Sequence, residues 1–328
     1  MSVENAYMIN SEFILRAKRA WIFMFMLCLG IGMMGMWAFS PEPADRQSVS
    51  ITLKPSNFDK LAPKKVATHT VAKLEEKFLR IGYNIDGVKE NGAEVPRVSA
   101  DSVPHDMNSI QVVSKRKDLF VSMMLPLVLI ANERLEAERA NLIEIIARKK
   151  SGNGISDSER RWLDGKFKAY RVKDGSLEGL LTRLDVVPPS LAVAQAAIES
   201  GWGTSRFARE GNALFGQWTW GEEGIVPEAR EEEKTHKIKA FQTPLDSVTS
   251  YIKNLNTHRA YRKLRNLRQI ARKNSAPMDG NHLAIALTAY SEKGMEYVEL
   301  VRSIIRVNDL QNLDAARLAS GNTTPSNA

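Results

Sequence analysis

From Trp21 to Phe39 the chain runs nineteen residues without a charge, WIFMFMLCLGIGMMGMWAF. At ~1.5 Å per residue a helix of that length reaches about 28 Å, close to the hydrocarbon thickness of a bilayer. Such a helix is apolar on every face, which does not suit the surface of a soluble domain. Trp21 and Trp37 sit near its ends, where indole rings favour the membrane interface. Arg16, Lys18 and Arg19 precede the run; Glu42, Asp45 and Arg46 follow it. That asymmetry predicts a cytoplasmic tail over residues 1–20, a single transmembrane anchor over 21–39 in contact with membrane lipid, and the remainder on the far side. The rival is a cleaved signal peptide with Ala38 and Ser40 before the cut. Pro41 would then follow the cut, and the run exceeds the usual ~7–15-residue signal core, so the anchor is preferred. The one cysteine, Cys28, lies inside the run, so the exported part carries no thiol and suits an oxidising compartment. A second apolar stretch, Phe120–Ala131, is too short to span and contains Pro126; it reads as a core helix kinked there.

Residues 40–113 hold Pro41, Pro43, Pro55, Pro63, Pro96 and Pro104 among short β-type runs and read as a juxtamembrane linker or small accessory region. From residue 114 the pattern turns helical. Leu125, Leu129, Leu135, Leu142 and Ile146 mark one long helix over 119–150. Ser156 with Glu159 is a capping box, and Pro188, Pro189 and Ser190 open the helix LAVAQAAIES, ended by Gly201 and Gly203. Residues 211–241 break the pattern, with short strands expected near Phe215–Trp220 and Ile238–Phe241. Thr243, Pro244 and Asp246 start another helix. Leu283, Leu287 and Tyr290 predict a further helix, and Tyr297, Val301, Ile304 and Ile305 the last. The domain is placed at 114–312, and the tail from 313 to 328 is expected to be disordered. The fold class is α+β, mainly α, with helices around a short hairpin lobe.

The chemistry concentrates in residues 187–221. Leu191, Ala194 and Ile198 form a buried stripe; Glu199 lies at its edge with Gln195 one turn earlier on the same face. The glycines put Glu199 in the last helical turn, where the partial negative charge of the helix end opposes a carboxylate. Trp202, Phe207, Phe215, Trp218 and Trp220 are placed to exclude water around it. Both effects raise a carboxyl pKa, and a carboxylic acid still protonated near neutral pH can protonate a leaving oxygen. Aromatic faces in a groove also suit sugar rings. The plain alternative is a surface glutamate beside core aromatics.

Four separated blocks occur in order: ESGWGTSRFA, GNALFGQW, KAFQTPLDSVTSY and AYSEKGMEY. Together they resemble the bacterial Bax-type family, whose members carry the glucosaminidase domain of glycoside hydrolase family 73; NLNTHRAY, residues 254–261, points to the Bax branch. The resemblance covers roughly 115–310. It implies a lysozyme-like helical lobe with a small β-lobe and a cleft between them. It implies cleavage of β-1,4 bonds after N-acetylglucosamine in peptidoglycan glycan strands, with the domain in the periplasm and the anchor in the bacterial inner membrane. The general acid maps onto Glu199, cleft aromatics onto Phe215 and Trp218, and a late catalytic tyrosine onto Tyr290. Gln195, Trp202, Asn212 and Tyr297 join Phe215 and Trp218 as expected substrate-binding residues. For a second carboxylate Glu228 is the first choice and Glu231 the second; the substrate's own acetamido group is an open alternative.

Other classes find no support in the sequence. The five histidines are scattered without an H-E-x-x-H pair, so no metal site is expected. Nucleotide-binding glycine loops do not occur, and no cofactor is implied. Arg259, Arg262, Lys263, Arg265, Arg268, Arg272 and Lys273 make one helix strongly basic within a chain of net charge +8. They read as a solvated face or as an attraction to anionic wall polymer; the exported topology disfavours nucleic acid. The remaining rivals keep the fold and change the role: a lytic transglycosylase, a glycan-binding protein without activity, or an envelope assembly factor.

Overall fold

The computed structural model describes residues 63–221, 224–227 and 235–320. The expected anchor over 21–39 lies outside them, as do Glu228 and Glu231. Among the described residues no helix is long and apolar enough to cross a membrane.

In chain order the elements are β1 (Lys64–Val66), α1 (Val71–Arg80), α2 (Ile85–Asn91), β2 (Val98–Ala100), α3 (Val113–Lys150), α4 (Asp157–Ala169), α5 (Leu177–Arg183), α6 (Pro189–Ser200), α7 (Arg206–Gly211), β3 (Trp218–Thr219), β4 (Lys237–Ile238), α8 (Pro244–Thr257), α9 (Arg262–Lys273), α10 (Gly280–Leu283) and α11 (Met295–Val307). Among the described residues the fold is therefore mainly α with two small β pairs. β1 pairs parallel with β2, and β3 pairs antiparallel with β4 through Trp218↔Ile238 and Thr219↔Lys237.

α3 is the spine. Its 38 residues run through Pro126 as one helix rather than breaking there. Proline removes one backbone donor, and tertiary packing holds the segment: residues 119–131 are buried on every side. Further along, Leu142, Ile145 and Ile146 join a second apolar cluster with Trp162, Leu163, Tyr170, Leu180 and Leu184. One helix thus serves two cores, and Leu135 packs against both.

Around α3 the local signals act as their chemistry dictates. Ser156 and Glu159 close a capping box on α4, and Thr243 and Asp246 do so on α8. Pro189 opens α6, and Gly201 ends it in the left-handed region at φ 59°.

Three expectations are corrected. Residues 63–112 pack rather than run as a linker: Val66, Leu74, Phe78, Val88, Val98 and Val103 belong to the same core cluster as α3 and α6. Proline-rich spacing there marks turns between short packed elements. The tail is not loose from 313: Leu310 and Leu313 are fully buried, Leu318 bridges to Val95, and the Arg97 side chain donates to the Ala319 carbonyl at 2.9 Å. Residues 321–328 lie outside the described structure. The helix expected through Leu283, Leu287 and Tyr290 breaks up into α10, a 3₁₀ turn over Ala284–Ala286 and further turns.

The basic helix is not simply a solvated face. Arg268 is fully buried and donates to the carbonyls of Asp185 and Val186 at 3.2 and 2.6 Å, and to Asn256 Oδ1 at 2.6 Å. Arg265 donates to the carbonyls of Leu255 and His258 at 3.0 and 2.8 Å, closing the end of α8. Arg272 reaches Asp185 at 2.7 Å. Arg259, Arg262, Lys263 and Lys273 remain exposed.

α6 is held at its start by Asp314. That carboxylate accepts from the Ser190 backbone N–H at 2.8 Å, the Ser190 hydroxyl at 2.7 Å and the Gly280 N–H at 3.0 Å. A β-carbon on Gly280 would fall 2.1 Å from Ser190 Oγ and 2.8 Å from the Leu191 nitrogen. Gly280→Ala is therefore expected to lower folding stability by about 1–3 kcal/mol, as overpacking does, measured by urea unfolding.

Candidate active site

α6 carries only small or apolar residues and serine apart from Gln195 and Glu199. The sequence pattern suggests one buried stripe, but the structure buries every residue of α6 except Glu199, which is partly exposed. The helix packs against α3, α10, α11 and the turn over 310–315. Four alanines, at 192, 194, 196 and 197, let neighbours approach from all sides. Glu199 sits in the final turn before the left-handed glycine, so its carboxyl leaves the core where the helix stops.

The groups around that carboxyl are tyrosines rather than the expected tryptophans. Tyr297 of α11 donates its hydroxyl to Glu199 Oε1 at 2.8 Å. Gln195 Nε2 donates to the Tyr297 oxygen at 3.0 Å, and the Tyr251 hydroxyl donates to Gln195 Oε1 at 2.6 Å. Tyr290 stacks on Tyr297 at 5.4 Å with the planes 9° apart, and Tyr261 lies tilted against Tyr290 at 6.0 Å. The negative charge of Glu199 raises the hydroxyl pKa of Tyr251, Tyr261, Tyr290 and Tyr297 in addition to their burial. On the other oxygen lies Gly216, where a β-carbon would make ordinary contact with Oε2 at 3.7 Å. Its φ of 58° suits glycine.

Burial pushes the Glu199 carboxyl up to about 7 from its usual 4.5, and the Tyr297 hydrogen bond pulls against that rise. The cause is desolvation, the second of the two effects anticipated from sequence.

The other expected site residues are distributed unevenly. Gln195 and Tyr297 join Glu199 directly, and Tyr290 joins through its stack; its hydroxyl donates to the Phe215 carbonyl at 3.4 Å. Phe215 is buried and stacked on Tyr251 at 3.9 Å, so its ring supports the site rather than lining an open groove. Trp218 is about half exposed and stacks on His236 at 4.6 Å, with Trp220 more exposed beyond it. Trp202 takes a left-handed backbone at φ 58° and packs edge-on against Phe120, with the Lys117 ammonium over its ring. Asn212 is corrected: its amide is committed to the backbone, accepting from Val103 N–H at 3.0 Å and donating to the Phe241 and Gln242 carbonyls at 3.1 and 3.2 Å. It ties the N-terminal elements to the hairpin region instead of presenting a free amide to a ligand. His258 is exposed, and its ring nitrogen caps the turn that holds Tyr261.

Tyr251 was not singled out by sequence. It falls inside the KAFQTPLDSVTSY block at a helical core position, and only the structure shows its hydroxyl aimed at Gln195. Gly216 had the signal of its block but no indication of a close carboxylate. Among the described residues, no three histidine, cysteine, aspartate or glutamate side chains gather as a metal site.

Residues 178–310 match the model of the Glucosaminidase family, described as mannosyl-glycoprotein endo-beta-N-acetylglucosaminidase. The chain is 32% identical over 228 residues to Protein bax of Escherichia coli (strain K12), covering 67% of this chain and 78% of that protein. No solved structure matches.

The raised Glu199 carboxyl has a thermodynamic signature. Between pH 4.5 and about 7 the folded protein keeps a proton that the unfolded chain has lost, so this group's contribution to stability falls as pH rises across that window. Glu199→Gln, neutral throughout, is expected to flatten that component of the profile, read by urea unfolding at a series of pH values.

Proposed function

The chain belongs to the bacterial Bax-type family of glucosaminidase-domain proteins, and from that premise we propose that it hydrolyses peptidoglycan glycan strands at β-1,4 bonds following N-acetylglucosamine, with Glu199 as the general acid. The observation that carries the reading is a partly exposed carboxyl whose pKa is raised to about 7 at the end of an otherwise buried helix. Such a group is still substantially protonated at neutral pH and can deliver its proton to the glycosidic oxygen as the bond to the leaving sugar breaks. Oε1 is engaged by Tyr297, so the delivering oxygen is Oε2, on the Gly216 side. Trp218 and Trp220, exposed on the same short strand region that follows Gly216, suit the apolar faces of sugar rings. The group that assists from the other side of the sugar is taken to be Glu228 or the substrate's acetamido group.

The charge-free run over 21–39 supports an inner-membrane anchor with this domain in the periplasm, where the polymer lies.

Purified sacculi are the substrate for the test. Wild-type protein is expected to release reducing sugar ends, and Glu199→Gln to lose roughly a hundredfold to ten-thousandfold of that rate while staying folded. Mass spectrometry of the digest separates hydrolysis from transglycosylation, since anhydro-muropeptides would assign a lytic transglycosylase. A Glu199→Gln variant with undiminished release would remove Glu199 from the role.

The acid must be protonated, so kcat/KM is expected to fall as pH rises through about 7. Tyr297→Phe deletes the hydrogen bond that favours the carboxylate, and the falling limb is expected to move to higher pH, measured on the same substrate.

A further inference from the structure

Gln195 is fully buried in the middle of α6, and its two amide atoms face two tyrosines from different helices. Tyr251, on α8, is fully buried with its ring flat against Phe215. Its hydroxyl proton goes to Gln195 Oε1 at 2.6 Å. That contact leaves Gln195 to present its NH₂ to Tyr297, which accepts at 3.0 Å. The Tyr297 hydroxyl has one proton, and with its oxygen already accepting from Gln195 that proton goes to Glu199 Oε1 at 2.8 Å.

The chain of donors runs one way: Tyr251, Gln195, Tyr297, Glu199. The reverse order requires the Gln195 amide to turn over and the Tyr251 proton to abandon Oε1 inside a buried core. An unpaired buried donor costs ~1–3 kcal/mol, enough to set the direction.

We propose that Gln195, oriented by Tyr251, is a positioning residue that makes Tyr297 a donor to Glu199 Oε1 and so leaves the acid's transferable proton on Oε2, beside Gly216. This rests on Glu199 being the acid of the reading above. When the proton moves from Oε2 to the leaving oxygen, Glu199 becomes a carboxylate and the same Tyr297 bond stabilises the new charge. Without the Tyr251 contact the amide can turn, Tyr297 can donate to Gln195 instead, and Oε1 competes with Oε2 for the proton.

The titratable groups that face Glu199 are Tyr251 from α8, Tyr261 from the turn before α9, Tyr290, and Tyr297 from α11. The Arg268 guanidinium also acts on Tyr251, favouring its ionised form against burial. Tyr261 and Tyr290 bear on Glu199 through its charge, and Tyr297 is its hydrogen-bond donor.

Tyr251→Phe keeps the ring stacked on Phe215 and removes only the hydroxyl. The test is a ¹³C-carboxyl titration of full-length protein labelled at glutamate, with the Glu199 signal assigned by its loss in Glu199→Gln. Tyr251→Phe is expected to move the midpoint to higher pH, in the direction of Tyr297→Phe. Because Tyr251 acts only through Tyr297, the double variant is expected to titrate with the midpoint of Tyr297→Phe alone. On sacculi, Tyr251→Phe is expected to lower kcat roughly fivefold with KM unchanged. A Tyr251→Phe midpoint equal to wild type, or a further move in the double variant, overturns the relay, since a merely structural role for Tyr251 would lower melting temperature without passing through Tyr297. Should Tyr251→Phe not fold, Tyr251→Met, which likewise removes the donor to Gln195 Oε1 and leaves the amide free to turn, carries the same expectation for the midpoint. If the titrations behave as expected and wild-type protein releases nothing from sacculi, the relay stands and the glycosidase reading falls.

Discussion

The burial of α6 on every side is the constraint from which the rest follows. A helix buried on all sides but its final turn must satisfy its polar groups internally, and each polar side chain of its buried residues is matched. Ser190 is held by Asp314, and Ser200 donates to the Ala196 carbonyl at 2.6 Å while accepting from the Gly203 N–H at 2.9 Å. Gln195 has a tyrosine for each amide atom. These partners come from α8, α11 and the 310–315 turn, so the elements around the helix are positioned by its polar groups as well as by its apolar ones. Residues 63–112 complete the enclosure, because Val103 and Met107 lie in the core that covers the chain after Gly203.

That enclosure sets up an energetic conflict at the end of the helix. A carboxylate there loses hydration, and the helix end offers it carbonyls rather than N–H groups. A structure selected for stability alone would place an apolar residue or a lysine at that turn. Here a glutamate is kept, one tyrosine offsets part of the desolvation, and the result is a carboxyl poised near pH 7 rather than an ordinary ionised one. A milder form of the conflict recurs at the helix start, where burial pushes the Asp314 carboxyl up to about 6. Asp314, a second half-buried acid, accepts three hydrogen bonds at the opposite end of the same helix and behaves as a cap.

What the sequence disclosed follows the range of the interaction. Capping at Ser156, Thr243 and Pro189, and the left-handed stop at Gly201, depend on residues within four positions and were legible. Glu199 was legible because the glycine stop and its motif lie beside it. The tyrosine wall was only partly legible. Its members stand at 251, 261, 290 and 297, on segments whose spacing also fits plain core helices, and no local rule states that their hydroxyls converge. Tyr290 and Tyr297 came from the family motif, and Tyr251 came only from the fold. The helix expected near Tyr290 fails for a similar reason. Its apolar spacing is helical, but the helix stops at Leu283, and the 3₁₀ turn and further turns after it deliver Tyr290 onto Tyr297.

The basic segment shows the same limit with a consequence for charge. From its spacing, seven cations between 259 and 273 could all face an anionic polymer. Three of them instead serve the interior. Arg268 and Arg265 donate to backbone carbonyls, and Arg272 pairs with Asp185, which Arg139 also approaches at 3.6 Å. Burial lowers the pKa of Arg265 and Arg268, the direction expected when a cation is held by neutral carbonyls rather than a facing carboxylate. The carbonyls they satisfy belong to the end of α8 and to residues 185 and 186 before α6, the two helices that carry Tyr251 and Gln195. These arginines therefore support the hydrogen-bond chain from behind, and only the four exposed cations are left to attract a polymer at long range. The basic segment is thus divided, one side a clamp on the frame of the site and the other a charged outer face.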